Sequence, residues 1–563
     1  MSKLPHKKRQ SDVKFSLQTF RISNLLILIP IIIACFTLYF VVDNGLIAQL
    51  ANQGNSRLIT VGWQAAQAAL TAEQPHNGTK YSYYKLQEGQ NLAWAASHFS
   101  VSLALLQKLN PGRAVWGTTI VVPPVEHPFA PFRANQATLS DSKVYVSEGT
   151  IYVSNSFTNP EAYMTMPQLM QLLKPYDGII RLEPKVYMIN KPIVVLDNIR
   201  VDITSSAVSK LLLRSDPDFN NTTLSFKNSE ALIDSVSISS YDRATGKPDT
   251  DINDGRSFLR ADGNARMDIL NSTISYLGMT KSQAAVAAIR AKEPFLSQGA
   301  DYGVSWRTAE NTAGEEIVTG WVEGSTFEHN YIGAYSWGAS GMMFKNNLFT
   351  KSLVYGLDPH NGSDNATIEY NRFISNDKHG LILSKYCDYN VIKDNISVDN
   401  KLHGFMLHDN SDDNLIEGNI SIGNYDNFVL YGSSDDTILG NKSYNPRDSN
   451  MRINDASTQD YIENNQMYGG ATGVYLYGNA NGIDIANNVF DHVGNLLVTR
   501  GAVRILYAGN TSNQIGYRIN KNDRVIFGVN KVNGRLGFDL KPLQLVQSGV
   551  AHNDLAKASA LAL

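Results

Sequence analysis

Gly380-Leu-Ile-Leu-Ser384, Gly404-Phe-Met-Leu-His408, Asn427-Phe-Val-Leu-Tyr431 and Gly473-Val-Tyr-Leu-Tyr477 are one short motif repeated at a nearly constant interval. Its first position forms a column, Gly333, Gly356, Gly380, Gly404, Asn427, Asn450 and Gly473, spaced 23, 24, 24, 23, 23 and 23 residues. A second column keeps step with it: Asn347, Asn371, Asn395, Asn419, Asn441, Asn465 and Asn488, spaced 24, 24, 24, 22, 24 and 23. A fixed period of this size marks stacked repeats, each too small to bury its own apolar face. Asn, Asp and Gly punctuate the runs, and no apolar pattern of helical period survives between them. The spaced leucines and repeat helix of a leucine-rich repeat are missing. The fold class that fits is all-β, a right-handed parallel β-helix with one coil per repeat. The recurring Asn is then a structural ladder, each amide bonding the same turn one rung away.

Strand side chains alternate between faces, so the period also sorts inside from outside. Counting from the Gly column, positions one and three (Leu357/Pro359, Leu381/Leu383, Phe405/Leu407, Phe428/Leu430) are mostly apolar and point inward. Positions two and four (Tyr335/Trp337, Asp358/His360, Ile382/Ser384, Met406/His408, Val429/Tyr431) point outward. Rungs stack about 4.8 Å apart. His360, Ser384 and His408 are therefore expected as one exposed column with Trp337 and Tyr431 at its ends. Asp358 precedes His360 on the same strand, and Lys385 is expected to overhang His360 from the next rung. A carboxylate, imidazoles, an ammonium and flanking aromatics on one face suit a polymer-binding cleft.

The rest of the chain supplies context. Leu25 to Val42 carries no charge; Lys3, Lys7, Lys8, Arg9, Lys14 and Arg21 precede it, and no basic residue follows until Arg57. This reads as a cytoplasmic N-terminus (1–24), a single membrane-spanning anchor (25–42) in the inner membrane and everything after it outside. The rival is a cleaved signal peptide, whose apolar core is normally shorter. Residues 43–82 read as a tether, 124–165 as a Pro-rich linker, 166–540 as the β-helix and 541–563 as a cap or tail. Met166 to Leu173 is an amphipathic helix suited to covering the open end of a solenoid. Only Cys35 and Cys387 occur, which gives no disulfide framework and leaves the compartment open. With 49 Lys+Arg against 52 Asp+Glu, the formal charge of −3 gives no reason to expect nucleic acid.

Residues 83–123 run strand, helix, helix, strand, with a Gly-x-x-Leu start (Gly89 to Leu92), Leu109-Asn-Pro111 in the middle and Val122-Pro123 at the end. They resemble a LysM domain, which implies binding to glycans containing N-acetylglucosamine such as peptidoglycan. The plain alternative is a packing module without ligand.

Leu353-Val-Tyr-Gly-Leu-Asp-Pro-His360, Lys378-His-Gly-Leu-Ile-Leu-Ser-Lys385, Tyr302-Gly-Val-Ser305, Thr319-Gly-Trp321, Gly324-Ser-Thr-Phe327 and Asp399-Asn-Lys-Leu402 closely resemble the periplasmic mannuronan C5-epimerases of alginate biosynthesis. The resemblance covers roughly residues 180–490. It implies a right-handed β-helix that converts β-D-mannuronate to α-L-guluronate within an anionic polysaccharide, in association with an exopolysaccharide secretion complex. The family signature Asp-Pro-His-Asp falls on Asp358 to Asn361. The resemblance makes His360 the base that removes the C5 proton, Asp358 its supporting carboxylate, and Lys385 the cation beside the substrate carboxylate. Two positions depart from the family: Asn361 stands for its last Asp, and Lys385 for an Arg.

The chemistry explains those residue types. A C–H beside a carboxylate is barely acidic, so a fixed cation is needed for the charge that develops. Imidazole suits the base because its pKa lies near working pH. Lys385 offers charge but not the bidentate fork of an Arg. Tyr355, Asn361, Ser384, His408, Trp337 and Tyr431 are candidate substrate contacts. His379 and His403 precede the Gly column in adjacent coils, where they stack at a turn or touch substrate. No cofactor or metal is expected; the Asp-rich nonapeptide that binds Ca2+ is absent. Two alternatives share these residues: a polyuronate lyase, which has the same first step, and a non-catalytic exopolysaccharide-binding scaffold.

Overall fold

The computed structural model describes residues 82–537, except 88, 113, 115–116, 133–141, 156–161, 218–219, 281–301 and 309–315. Every described residue belongs to one compact unit, Gln64–Leu563. The expected cytoplasmic segment, the anchor at 25–42, nearly all of the tether and the tail at 541–563 lie outside the described residues. Among the described residues no helix is long and apolar enough to cross a membrane.

The repeats form the expected parallel β-helix, with each coil contributing one short strand to each of three long sheets. On the 15-stranded sheet, Leu357 pairs with Leu381, Leu381 with Phe405, Phe405 with Phe428 and Phe428 with Met451. These inward residues are buried, and each is worth about 1.5–3 kcal/mol relative to exposure. The Gly column has a steric cause. A Cβ on Gly380 would lie 2.7 Å from both the Gly404 carbonyl and Ser397 Oγ. Where Asn427 replaces the Gly, its amide instead donates to Ser421 O and Ser443 Oγ.

The Asn ladder is present rung by rung: Asn371 Nδ2 donates to Asn395 Oδ1 at 3.0 Å, and Asn395 Nδ2 to Asn419 Oδ1 at 3.0 Å. It runs beyond the expected end at Asn488, through Asn510 to Asn530. A second ladder, Asn376–Asn400–Asn424, escaped the sequence reading. The helix Met166–Leu173 puts Met166, Leu169 and Leu173 into the main core, as an end cap requires.

The stretch expected as a linker is different. Strands Lys143–Ser147 and Thr150–Ser154 form a hairpin, Thr150–Ser154 pairs in parallel with Ile193–Leu196, and Ala162–Thr165 pairs with Ile199–Thr204. The β-helix therefore begins before residue 166. Residues 124–132 lie against the outer face of the 14-stranded sheet: Phe129 N–H donates to Asp268 Oδ2 at 2.7 Å and Phe132 N–H to Asp202 Oδ2 at 2.9 Å. The guanidinium groups of Arg266 and Arg200 lie over the Phe129 ring at 3.8 and 4.3 Å. Proline content suggested a linker, but buried ion pairs on the sheet give this strap a fixed seat.

Before the strap comes a small α+β unit. Strand Ser82–Lys85 pairs antiparallel with Thr119–Val122, and helices Leu92–His98 and Leu103–Leu109 lie between them in sequence. Asn91 caps the first helix by accepting from the Ala93 and Trp94 N–H groups. Asn110 ties the second helix to the strand, donating to Val121 O and accepting from Val121 N–H. The unit docks on the same sheet face: His98 Nδ1 is 2.7 Å from Glu230 Oε1, and Arg266 donates to the His98 carbonyl.

Candidate active site

The outward phase of the 15-stranded sheet is as expected. Trp337 pairs with His360, His360 with Ser384, Ser384 with His408 and His408 with Tyr431. The column is less exposed than alternation alone implied. Ser384 is 5% exposed and Asp358 2%, and Ile382, Met406 and Val429 form an apolar stripe apart from the main core. These outward residues are buried because ring ladders rise on both sides of them. The site is thus a groove with an aliphatic floor, not an open face.

One wall is the predicted column. His408 and Tyr431 stack at 4.9 Å, and Trp337 and His360 stack at 5.5 Å with planes 8° apart. Both faces of Trp337 are taken, by His360 on one side and the Arg307 guanidinium on the other at 5.4 Å. As a candidate substrate contact, Trp337 therefore has its edge and not its face to offer.

The other wall is Tyr355, His379 and His403. Their rings stack at 5.0 and 4.9 Å, and His379 Nδ1 accepts from the His403 N–H. Burial, with the His403 ring beside it, pushes the His379 pKa well below its ordinary value, so this imidazole is neutral. His403 Nδ1 is paired with Asp426 at 3.1 Å.

Asp358 sits at the head of the groove beside two phenols. Its charge, after burial, helps raise Tyr355 to about 12 and Tyr335 well above its ordinary value, so both keep their protons. Between this strand and the next the paired residues are Leu357 with Leu381 and His360 with Ser384. The ladder skips Asp358 and Pro359, where proline has no N–H to give.

Asn361 and Lys385 directly follow their strands, Leu357–His360 and Leu381–Ser384, in the left-handed region, with φ of 47° and 67°. Asn and Asp tolerate that region better than most residues, which accounts for an Asn where the family signature has Asp. Lys385 is exposed, and its charge joins burial in lowering the His408 pKa. The Lys385 backbone N–H donates to the His408 carbonyl on the next rung at 2.9 Å.

Arg307 was missed. Counting from Gly303 puts Val304 and Trp306 inward and Ser305 and Arg307 outward, but the 30-residue gap to Gly333 hid the coil. Arg307 pairs with Trp337, which pairs with His360.

With the site described, similarity to known proteins can be placed on it. The model of a right-handed β-helix region matches residues 296–442, and that of the periplasmic copper-binding protein NosD matches 382–525. Among the described residues no group of three or more His, Cys, Asp or Glu side chains is arranged to hold a metal. A mannuronan C5-epimerase of Pseudomonas fluorescens is 33% identical over 264 residues, 46% of this chain and 46% of that protein. That of Pseudomonas putida is 28% identical over 44% of this chain and 46% of its own length. The mannuronan C5-epimerase AlgG of Azotobacter vinelandii is 37% identical over 28% and 30%. The chain thus spans half or less of the length of these curated relatives. In fold it is similar to the crystal structure of the periplasmic alginate epimerase AlgG, with TM-score 0.54 and 19% identity over 83% of this chain and 96% of that one. The chain is thus similar in sequence to mannuronan C5-epimerases over part of its length and shares the right-handed β-helix fold of the periplasmic alginate epimerase.

Proposed function

We propose that this protein is a polyuronate C5-epimerase acting on polymannuronate or a closely related polymer. The observation that carries the proposal is His360 in the groove wall, one residue past Pro359 and two past a buried Asp358, in a chain whose relatives are named mannuronan C5-epimerases. His360 is the base for the C5 proton. Asp358 supports its basicity. Lys385, on a mobile four-carbon stem, neutralises the uronate carboxylate as charge builds on it. Tyr355, a phenol that stays protonated, meets the sugar from the facing wall. Return of a proton from the opposite face gives the epimer; departure of the 4-linked oxygen gives the lyase product.

The same reading puts the β-helix in the periplasm, behind an anchor at residues 25–42. It makes residues 83–123 LysM-like, supported by their strand–helix–helix–strand order. Contact with peptidoglycan is proposed through the surface facing away from the β-helix.

The test is polymannuronate in deuterated water followed by proton NMR. Guluronate signals with deuterium at C5, lost in His360→Ala, are expected. Unsaturated uronate signals would make it a lyase. Retained binding without any exchange would make it a scaffold.

A further inference from the structure

Arg307 is only 5% exposed, yet it lies on the outward column of the groove sheet, two rungs before His360. Its guanidinium is lodged between two aromatic columns. On one side Trp337 lies 5.4 Å away, and the far face of Trp337 carries His360 at 5.5 Å with nearly parallel planes. On the other side Tyr302 lies 5.5 Å away, stacked on Tyr335 at 3.5 Å, and Tyr335 lies 5.6 Å from His360. Both columns end on the same imidazole. A guanidinium this enclosed presents little to a substrate; what it touches is the rings that seat the base.

We propose that Arg307 is a positioning residue for His360, capping the face of Trp337 opposite the imidazole so that the ring keeps its plane and stays neutral until it takes a proton. The proposal rests on His360 being the base. The physical case has two parts. A cation over an indole face is attractive and resists tilting of the indole, so the stacked imidazole inherits a fixed plane. A fixed positive charge two rungs away also disfavours imidazolium.

The other charged and titratable groups around His360 set the balance. Asp358 on its own strand draws a proton in. Lys385 and His408 on the following rungs oppose this when charged. Tyr335 and Tyr355 remain neutral phenols. Arg307 is the buried cation of this set. It lies next in register to Asp262, which is itself ion-paired with Arg260 at 2.5 Å. Trp337 cannot turn without moving it.

The experiment uses the full chain labelled with 13Cε1-histidine. The His360 signal is assigned by its disappearance in His360→Asn, and its titration is compared between the parent, Arg307→Lys and Arg307→Met. Arg307→Met should raise the His360 midpoint by about 0.5 pH unit, and Arg307→Lys should hold it within about 0.2. On polymannuronate, Arg307→Met should lower kcat about tenfold with KM within about twofold, partly rescued by Lys. An unmoved midpoint in both variants would overturn the proposal. So would a raised KM with kcat intact, since that is the mark of a substrate contact. The titration needs no turnover: a shifted midpoint in a protein inactive on polymannuronate keeps the positioning role and rejects the epimerase reading. Should Arg307→Met fail to fold, Trp337→Phe replaces it, with a smaller upward shift expected and no shift overturning the proposal.

Discussion

Asp426 Oδ2 lies 3.1 Å from Nδ1 of His403 and 3.0 Å from Nε of Arg452, so one fully buried carboxylate ties the histidine wall to the groove floor. Its other oxygen accepts from the Ser449 N–H and from the Arg452 Nη2, and Arg452 also reaches Asp448 at 2.6 Å. The histidine wall of the groove is thus held from below by a charge network and not by apolar packing alone.

Asp426→Asn should destabilise the protein by about 3 kcal/mol, because it leaves His403 and Arg452 with a partner removed in a buried site. Urea unfolding measures this. Arg452→Met combined with Asp426→Asn should recover part of the loss, since both charges are then gone. On substrate, Asp426→Asn should raise KM more than it lowers kcat.

Asn395→Ala removes an acceptor from the Asn371 N–H and amide, and a donor from Ile368 O, all buried. Each buried group left unsatisfied costs about 1–3 kcal/mol, so a loss of roughly 3–5 kcal/mol is expected. Hydrogen exchange should accelerate first in the coils carrying Asn371 and Asn419, because a solenoid couples nearest neighbours.

Asp364 accepts from the Asp388 N–H, and burial lifts its pKa to about 7. The folded state therefore holds a proton that the unfolded chain releases near pH 4. Stability from this group is full below pH 4 and is lost as pH rises toward about 7. Asp364→Asn keeps the acceptor and removes the titration. It should flatten the melting temperature across that window and stabilise the protein at pH 8 by on the order of 1–3 kcal/mol. A melting curve as steep in pH as the parent's would assign the dependence elsewhere.

Lys385→Arg should leave epimerisation unchanged or raise it a few-fold, since a fork fits a carboxylate better than a point charge. Lys385→Ala should cost about 100-fold or more in kcat, the scale of removing one electrostatic stabiliser from a transition state. Initial rates of deuterium incorporation separate the two. Complete loss in Lys385→Arg would remove Lys385 from the carboxylate.

The β-helix, the inward and outward phase, the Asn ladder and the column holding His360, Ser384 and His408 were legible in the sequence by itself. Each follows from local rules: period-2 alternation within a strand and a near-constant coil length between strands. The tertiary structure alone decided the rest. Ile382 and Ser384 point outward but are buried, because exposure depends on the ladders that neighbouring coils raise beside them. Residues 124–132 became a strap through Arg200 and Arg266, which lie 68 or more positions away in the chain. Lys385 follows its strand in a left-handed turn, which alternation does not describe. Arg307 stands behind Trp337 because a 30-residue coil still stacks in register, and only the fold removes the insertion from the count.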